Sequence, residues 1–136
     1  MTQPRLTFRP RHRLTHANEF KAVYDLRLRR SRGPLTIFAR PNQVPHDRLG
    51  LSVGSRVGNA VARNGIKRKL REAFRQLQHD LPLHAEGGYD LVINVRPHEA
   101  YPLGGYRDLL QSLAEPIHAE AVRRGLVREA SEGDAR

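Results

Sequence analysis

The chain has 136 residues, no cysteine, and 24 Lys and Arg against 14 Asp and Glu, a formal net charge of +10. This length allows one domain with a modest core, and the lack of cysteine excludes disulfides and cysteine-based metal sites or nucleophiles. So basic a charge is typical of nucleic-acid-binding proteins. Since the sequence shows no apolar run of membrane-spanning length and no secretory signal, we expect a cytoplasmic protein with no membrane partner.

The N-terminal part of the chain divides into a basic arm and a first helix. Residues 1–13 contain four arginines and two prolines without periodicity, which predicts a flexible arm that orders on a partner. Thr15 is the predicted N-cap of a helix over residues 17–28. Phe20 and Tyr24 are four residues apart, so they lie on one face of this helix.

Segments rich in β-forming residues follow the first helix. Residues 35–40 and 48–54 are predicted strands, and the second has apolar residues at alternate positions. We expect these two strands to pair with each other in antiparallel orientation. A short additional strand is predicted near residues 28–33.

Residues 58–79 are predicted to form a long amphipathic helix. Its apolar stripe follows three- and four-residue spacing and consists of Ile66, Leu70, Ala73, Phe74 and Leu77. Its neighbouring basic face consists of Arg63, Asn64, Lys67, Arg68, Arg71 and Arg75. From Arg56 to Arg75, seven Lys or Arg face one acid, Glu72. Because like charges four residues apart repel, a polyanion that neutralises them explains this strip best.

The last elements are a strand over residues 89–96 and a helix over residues 106–124, in which Pro116 predicts a kink or a break. The strand, long helix and strand in the middle of the chain predict one parallel strand pair. We therefore expect a single α+β domain of order α-β-β-(β)-α-β-α over residues 14–125, followed by a disordered tail over residues 126–136.

The candidate chemistry is binding, and no constellation for protein-based catalysis stands out. The seven histidines lack metal-ligand spacing, the acids are scattered, and the glycines do not match a phosphate-binding loop. Arginine grips phosphate with two hydrogen bonds and stacks on bases, and each phosphate contact adds salt-sensitive affinity. The candidate polyanion-binding residues are Arg56, Arg63, Asn64, Lys67, Arg68, Arg71 and Arg75.

Three aromatic residues form a second candidate site. Phe20 and Tyr24 share a helix face, and Phe38 lies in the middle of a predicted strand. Aromatic side chains beside a basic groove stack on single-stranded bases. Because only 6% of the chain is aromatic, an ordinary place in the core is an equal alternative, and the residues alone favour neither.

The stretch from Arg48 to Phe74 contains a Gly-Leu-Ser-Val strand, a Gly-Asn-Ala-Val helix start, and Arg-Asn-x-x-Lys-Arg followed by Arg-Glu-x-Phe. This combination closely resembles the signature of the protein subunit of bacterial ribonuclease P. The similarity extends to Asn18-Glu19-Phe20 and to Tyr89-Asp-Leu-Val-Ile, and it covers residues of about 10–120.

The resemblance implies an α-β sandwich of the ribosomal-protein type with a left-handed βαβ crossover, against the usual right-handed rule. It also implies that one protein binds one catalytic RNA and the single-stranded 5′ leader of precursor tRNA. The RNA would then carry the Mg²⁺-dependent endonucleolytic removal of the leader. By position, the contacts to the catalytic RNA would come from Arg56, Arg63, Asn64, Lys67, Arg68 and Arg71. The leader cleft would be lined by Arg11, Arg13, Phe20, Tyr24 and Phe38.

Two positions depart from the family pattern. Gly65 stands where Arg is usual, and a glycine inside a helix costs up to ~1 kcal/mol relative to alanine. Ser55 stands where Lys is common. Lys69 and Arg71 are candidates to compensate for the missing contacts.

Two other functions remain open from the sequence. One is a ribosomal protein or RNA chaperone of the same fold, with no role in cleavage. The other is a DNA-binding regulator that inserts the basic helix into the major groove. The regulator predicts a compact helix-turn-helix and dimer symmetry, and the strands around the helix disfavour it.

Overall fold

The computed structural model describes residues 8–130; the first seven residues of the predicted arm and the last six of the predicted tail lie outside this range. Two single-turn 3₁₀ helices, Pro10–His12 and Ser55–Val57, accompany the longer elements. The helices and strands in chain order are α1 (Ala17–Leu26), β1 (Leu28–Arg32), β2 (Leu35–Pro41), β3 (Arg48–Val53), α2 (Ala60–Leu77), β4 (Tyr89–Val95) and α3 (Leu103–Arg123).

The four strands form one sheet of order β1-β2-β4-β3. β3 and β4 are parallel, which confirms the predicted parallel pair. The predicted pairing of β2 with β3 is wrong, because β4 lies between them and pairs antiparallel with β2. β4 occupies the centre because it is apolar on both faces: Val92 and Ile93 are successive residues, and both are almost fully buried.

The sheet separates two apolar layers. The main core lies between the sheet and helices α2 and α3, where Ile37 and Ile93 pack with Phe74, Leu70 and other apolar side chains. All five residues of the predicted α2 stripe are buried there. On the opposite face α1 packs over a smaller cluster that includes Val23 and Val92. The chain is thus a mixed α+β single domain, as predicted.

The helix ends follow local hydrogen bonding. The N-cap of α1 is His16 instead of the predicted Thr15, since the Glu19 carboxylate accepts the backbone N–H of His16 at 3.1 Å. Asn59 caps α2, its side chain accepting the Ala62 N–H at 2.9 Å. Of the kink or break predicted at Pro116, the break is absent: α3 runs through this residue, and apolar residues before and after it stay buried.

The chain on either side of the helices and strands also contacts the domain. Leu14 N–H donates to the carbonyl of Leu49 on β3 at 3.0 Å, so the described end of the arm runs beside the sheet edge. After α3, Leu126 and Val127 pack against the main core. The Arg124 guanidinium donates to the Leu26 carbonyl at 3.0 Å and so caps the end of α1.

Candidate nucleic-acid interface

The predicted basic face of α2 is accessible along its length. Asn64 and Arg68 are exposed, whereas Arg63, Lys67 and Arg71 are half-buried. The other two candidates flank this stretch: Arg56 is exposed on the Ser55–Val57 turn, and half-buried Arg75 lies near the end of the helix.

The only acid on this strip is held by its last arginine. Arg75 Nε donates to Glu72 Oε2 at 2.9 Å, and this bond lowers the pKa of Glu72 and raises that of Arg75. In the part of the chain that the structure describes, Arg63, Arg68 and Arg71 have no carboxylate partner. The uncompensated charge therefore lies on α2 between Arg63 and Arg71.

Phe8 brings a further arginine to this strip. Its ring packs edge-on against Phe74 at 5.7 Å between centroids, and Arg13 Cζ lies 5.2 Å from the Phe8 centroid. Burial lowers the pKa of Arg71, and the nearby charge of Arg13 lowers it further. Sequence reasoning missed the role of Phe8, because its contact with α2 is entirely long-range and leaves no local pattern.

Two cavities meet at this point. The larger, of about 370 Å³, lies between the arm and α2 and includes Asn64, Arg68 and Arg75 in its walls. The smaller, of about 150 Å³, reaches Phe20 and Gly50 and also includes Lys67. Both contain Phe8, Arg13 and Arg71 in their walls. One basic groove therefore runs from the α2 strip to Phe20.

The three predicted aromatics come together on the α1 face of the sheet, where each is half-buried. Tyr24 and Phe38 pack edge to face at 4.9 Å between centroids. The Phe20 ring lies over Gly50 so closely that a Cβ there would sit 2.6 Å from Phe20 Cζ. All three thus pack on a small core, and Phe20 also lies in the wall of the smaller cavity.

Arginines extend the aromatic site at both ends. Arg13, just after the Pro10–His12 turn, lies with Phe20 in the wall of the smaller cavity, whereas Arg11 is exposed within the turn and is in the wall of neither cavity. At the other end, Arg29 Cζ lies 5.7 Å from the Phe38 centroid. Sequence reasoning missed Arg29, because it reaches Phe38 only through the pairing register of β1 with β2.

The departures from the family pattern lie in different surroundings. A Cβ at Gly65 would meet no atom within 4 Å, so the helix surface there is open. Lys69 donates from Nζ to the Tyr101 carbonyl at 2.8 Å and fixes the loop before α3. Its ammonium group is thus engaged by this loop, although position 69 lies one turn from Gly65 on the same helix. Ser55 begins the exposed turn that carries Arg56.

A buried acidic pair lies where β3 and β4 begin. Asp90 accepts two hydrogen bonds from the Arg48 guanidinium, both at 2.7 Å. Asp47 accepts the Tyr89 N–H at 2.7 Å. Burial raises the pKa of Asp47 to about 7, and the charge of Asp90 contributes to the rise. This pair is internal and does not contribute to the groove.

Among residues 8–130, no group of three or more His, Asp or Glu side chains is arranged to hold a metal ion. No helix within the same range has the length and apolarity needed to cross a membrane.

Comparison with known proteins assigns this architecture. A family model described as Ribonuclease P matches residues 8–117. The chain belongs to the ribonuclease P protein family. Membership confirms the resemblance seen in the sequence, and it makes the chain a protein component of a ribonuclease that acts in tRNA processing.

Relatives and solved structures within the ribonuclease P family agree. A ribonuclease P protein component of Chromobacterium violaceum is 44% identical over 90 residues, 65% of this chain and 70% of the relative. One from Photobacterium profundum is 43% identical over 79 residues, 57% of this chain and 67% of the relative. The Thermotoga maritima RNase P protein has a TM-score of 0.67 at 26% identity, covering 76% of this chain and 96% of its own. The Staphylococcus aureus RNase P protein has a TM-score of 0.65 at 25% identity, covering 77% of this chain and 94% of its own.

Proposed function

We propose that this chain binds the ribonuclease P RNA through the α2 strip and the 5′ leader of precursor tRNA through the aromatic site. The observation that carries the proposal is the continuous groove whose two cavities share Phe8, Arg13 and Arg71. A duplex or folded RNA offers phosphates to a basic strip, whereas a single strand offers bases to aromatic rings. The two ends of the groove match these two kinds of RNA.

The chemistry of cleavage belongs to the RNA subunit in this proposal. The described residues offer cations and rings at the groove, but no acid-rich cluster of the kind that binds Mg²⁺. Mg²⁺ is then held mainly by RNA phosphates. The protein's part is to neutralise RNA charge and to bind the leader, so that the endonucleolytic step leaves the mature 5′ end.

The proposal is tested by reconstitution. The full chain is added, one protein per RNA, to the ribonuclease P RNA of the same organism with precursor tRNA at low Mg²⁺. We expect faster cleavage at the mature 5′ end than with RNA alone. If the chain binds the RNA but 5′ cleavage does not accelerate, the protein is an RNA-binding protein without a role in cleavage, and the proposal is wrong.

A matched pair of variants connects this result to the strip. Arg68→Gln removes an exposed guanidinium from α2, and Arg123→Gln removes an exposed guanidinium from the last turn of α3. We expect Arg68→Gln to reduce the gain in cleavage at protein concentrations too low to saturate the RNA and Arg123→Gln to leave it unchanged. Equal effects of both would indicate that only net charge matters.

A further inference from the structure

We propose that a row of polar side chains across the sheet recognises one leader base, with Asn94 as the specificity-determining residue. The inference rests on the proposed leader binding, and it adds residues that neither the sequence motifs nor the basic strip point to. The row lies beside the aromatic site on the α1 face of the sheet.

The strand registers place one polar residue from each strand in line. Ser31 pairs with Thr36, Thr36 with Asn94, and Asn94 with Ser52. The adjacent row contains Phe38, so both rows lie on the same face by the two-residue alternation of a strand. α1 packs over the Phe38 row, whereas Ser31 and Ser52 are exposed and the two central residues are half-buried.

Tyr24 fixes the orientation of Asn94. Its hydroxyl donates to Asn94 Oδ1 at 2.8 Å, so the amide oxygen faces α1. The amide N–H₂ group of Asn94 makes no hydrogen bond within residues 8–130. The nitrogen of this group is not fully buried, so it remains accessible to a ligand. Two oriented donors are therefore available to a ligand beside the aromatic rings.

The neighbouring strands supply a further donor and a stacking surface. The Ser31 and Thr36 hydroxyls are 2.8 Å apart, and because one of them donates to the other, one hydroxyl hydrogen is left for a ligand. Arg29 lies over the Phe38 ring in the next row. In this proposal a base stacks on the Phe38 ring and turns its edge toward Thr36, two residues away on the same face of β2, and toward Asn94, the partner of Thr36 on β4.

This donor pattern selects a base by its acceptors. An amide N–H₂ and a hydroxyl match an edge with two adjacent acceptors, such as O6 and N7 of guanine. Adenine places an N6–H₂ donor beside N7, and this donor would face the N–H₂ group of Asn94. We therefore expect the row to favour guanine over adenine at one leader position.

The experiment uses the reconstituted holoenzyme and precursor tRNAs whose leader is randomised. Competition among these substrates, followed by sequencing, gives the relative kcat/KM for each base at each leader position. We expect the native protein to prefer guanine at one position. Asn94→Ala should reduce this preference by about 2- to 10-fold, the range for one or two hydrogen bonds, and Asn94→Asp should shift it toward adenine.

Two further variants separate recognition from a structural effect. Tyr24→Phe keeps the ring but leaves the Asn94 amide free to rotate. We therefore expect the preference for guanine to fall by a larger factor than the kcat/KM averaged over all leaders. Gln111→Ala, on the exposed face of α3, should change neither. If the native protein favours leader-bearing tRNA but Asn94→Ala and Asn94→Asp retain its base preferences, the inference is wrong while the proposed function stands. If the native protein does not favour leader-bearing tRNA at all, both the inference and the proposed leader binding are wrong.

Discussion

Arg13 and Arg71 lie in the walls of both cavities of the groove, and the charge of Arg13 lowers the pKa of Arg71. One residue precedes α1 and the other is on α2, so the pair joins the N-terminal arm to the basic strip. No carboxylate among residues 8–130 pairs with either. Two like charges held together without a counter-ion favour a bound phosphate.

Replacing Arg71 by Gln should weaken binding of the ribonuclease P RNA and make it less sensitive to salt. Each phosphate contact contributes about one unit to the slope of log K against log salt. We expect that slope to fall by about one while the free protein loses no stability, since the change removes repulsion with Arg13. A salt titration of the dissociation constant checks this, with Arg123→Gln as control. An unchanged slope would show that Arg71 does not contact phosphate.

The open surface at Gly65 predicts two gains. Gly65→Ala should raise the free energy of unfolding by up to ~1 kcal/mol, because alanine has the higher helix propensity and its Cβ meets no other atom. Gly65→Arg should also tighten RNA binding by adding a cation to the strip. Urea unfolding and RNA titration measure the two effects. The interpretation of Gly65 as a missing contact fails if Gly65→Arg binds RNA no better than Gly65→Ala.

Gly50 is predicted to be essential for the position of Phe20. A Cβ there would lie 2.6 Å from the end of the Phe20 ring, so Gly50→Ala must displace the ring. We expect a loss of about 1 kcal/mol in the free energy of unfolding, together with weaker binding of precursor tRNA. Gly54→Ala, just after the same strand, would meet no atom within 4 Å and serves as control. Equal behaviour of the two variants would mean that the Phe20 contact is unimportant.

Asp47 should make stability depend on pH. Its pKa is about 7 in the fold against an ordinary value of 3.8, so the folded protein binds a proton that the unfolded chain releases between these values. Protonated Asp47 makes its full contribution to the free energy of unfolding below pH ~4. This contribution, several kcal/mol, is lost as the pH rises to ~7. Asp47→Asn keeps the acceptor for the Tyr89 N–H and should remove this loss.

Urea unfolding of the native protein and Asp47→Asn across this pH range gives the test. The pKa of buried His12 is lowered, so His12 adds the opposite trend as pH falls below ~6.5. Its contribution is shared by the two proteins and cancels in their difference. A difference in free energy that stays constant from pH 4 to 8 would exclude a raised pKa at Asp47.

Local patterns in the sequence predicted the elements well. The helical spacing from Ile66 to Leu77 placed the buried face of α2, and the strands were found within a residue or two of their expected ends. The separation of β2 from β3 was not predictable in this way. It depends on where a strand much later in the chain inserts, and only the two-sided apolarity of β4 indicated a central position.

The residues of the candidate site were also predictable only where they belong to a local sequence pattern. The basic strip follows from one helix, so its residues could be named from spacing alone. Phe8 reaches the groove through a long-range ring contact, whereas Arg29 and Asn94 meet the aromatic residues through a strand register and a tyrosine hydroxyl. None of these contacts leaves a local pattern, and none of the three residues belongs to the motifs that carried the resemblance.

We infer that the aromatic site binds the leader while the strip binds the catalytic RNA. The affinity of the reconstituted holoenzyme for precursor tRNA and for mature tRNA, measured with the native chain and with Phe20→Ala, tests it most directly. Loss of one stacked base should weaken precursor binding by about 5- to 100-fold and leave mature tRNA binding unchanged. An equal loss for both substrates would contradict the claim and return Phe20 to a purely structural role.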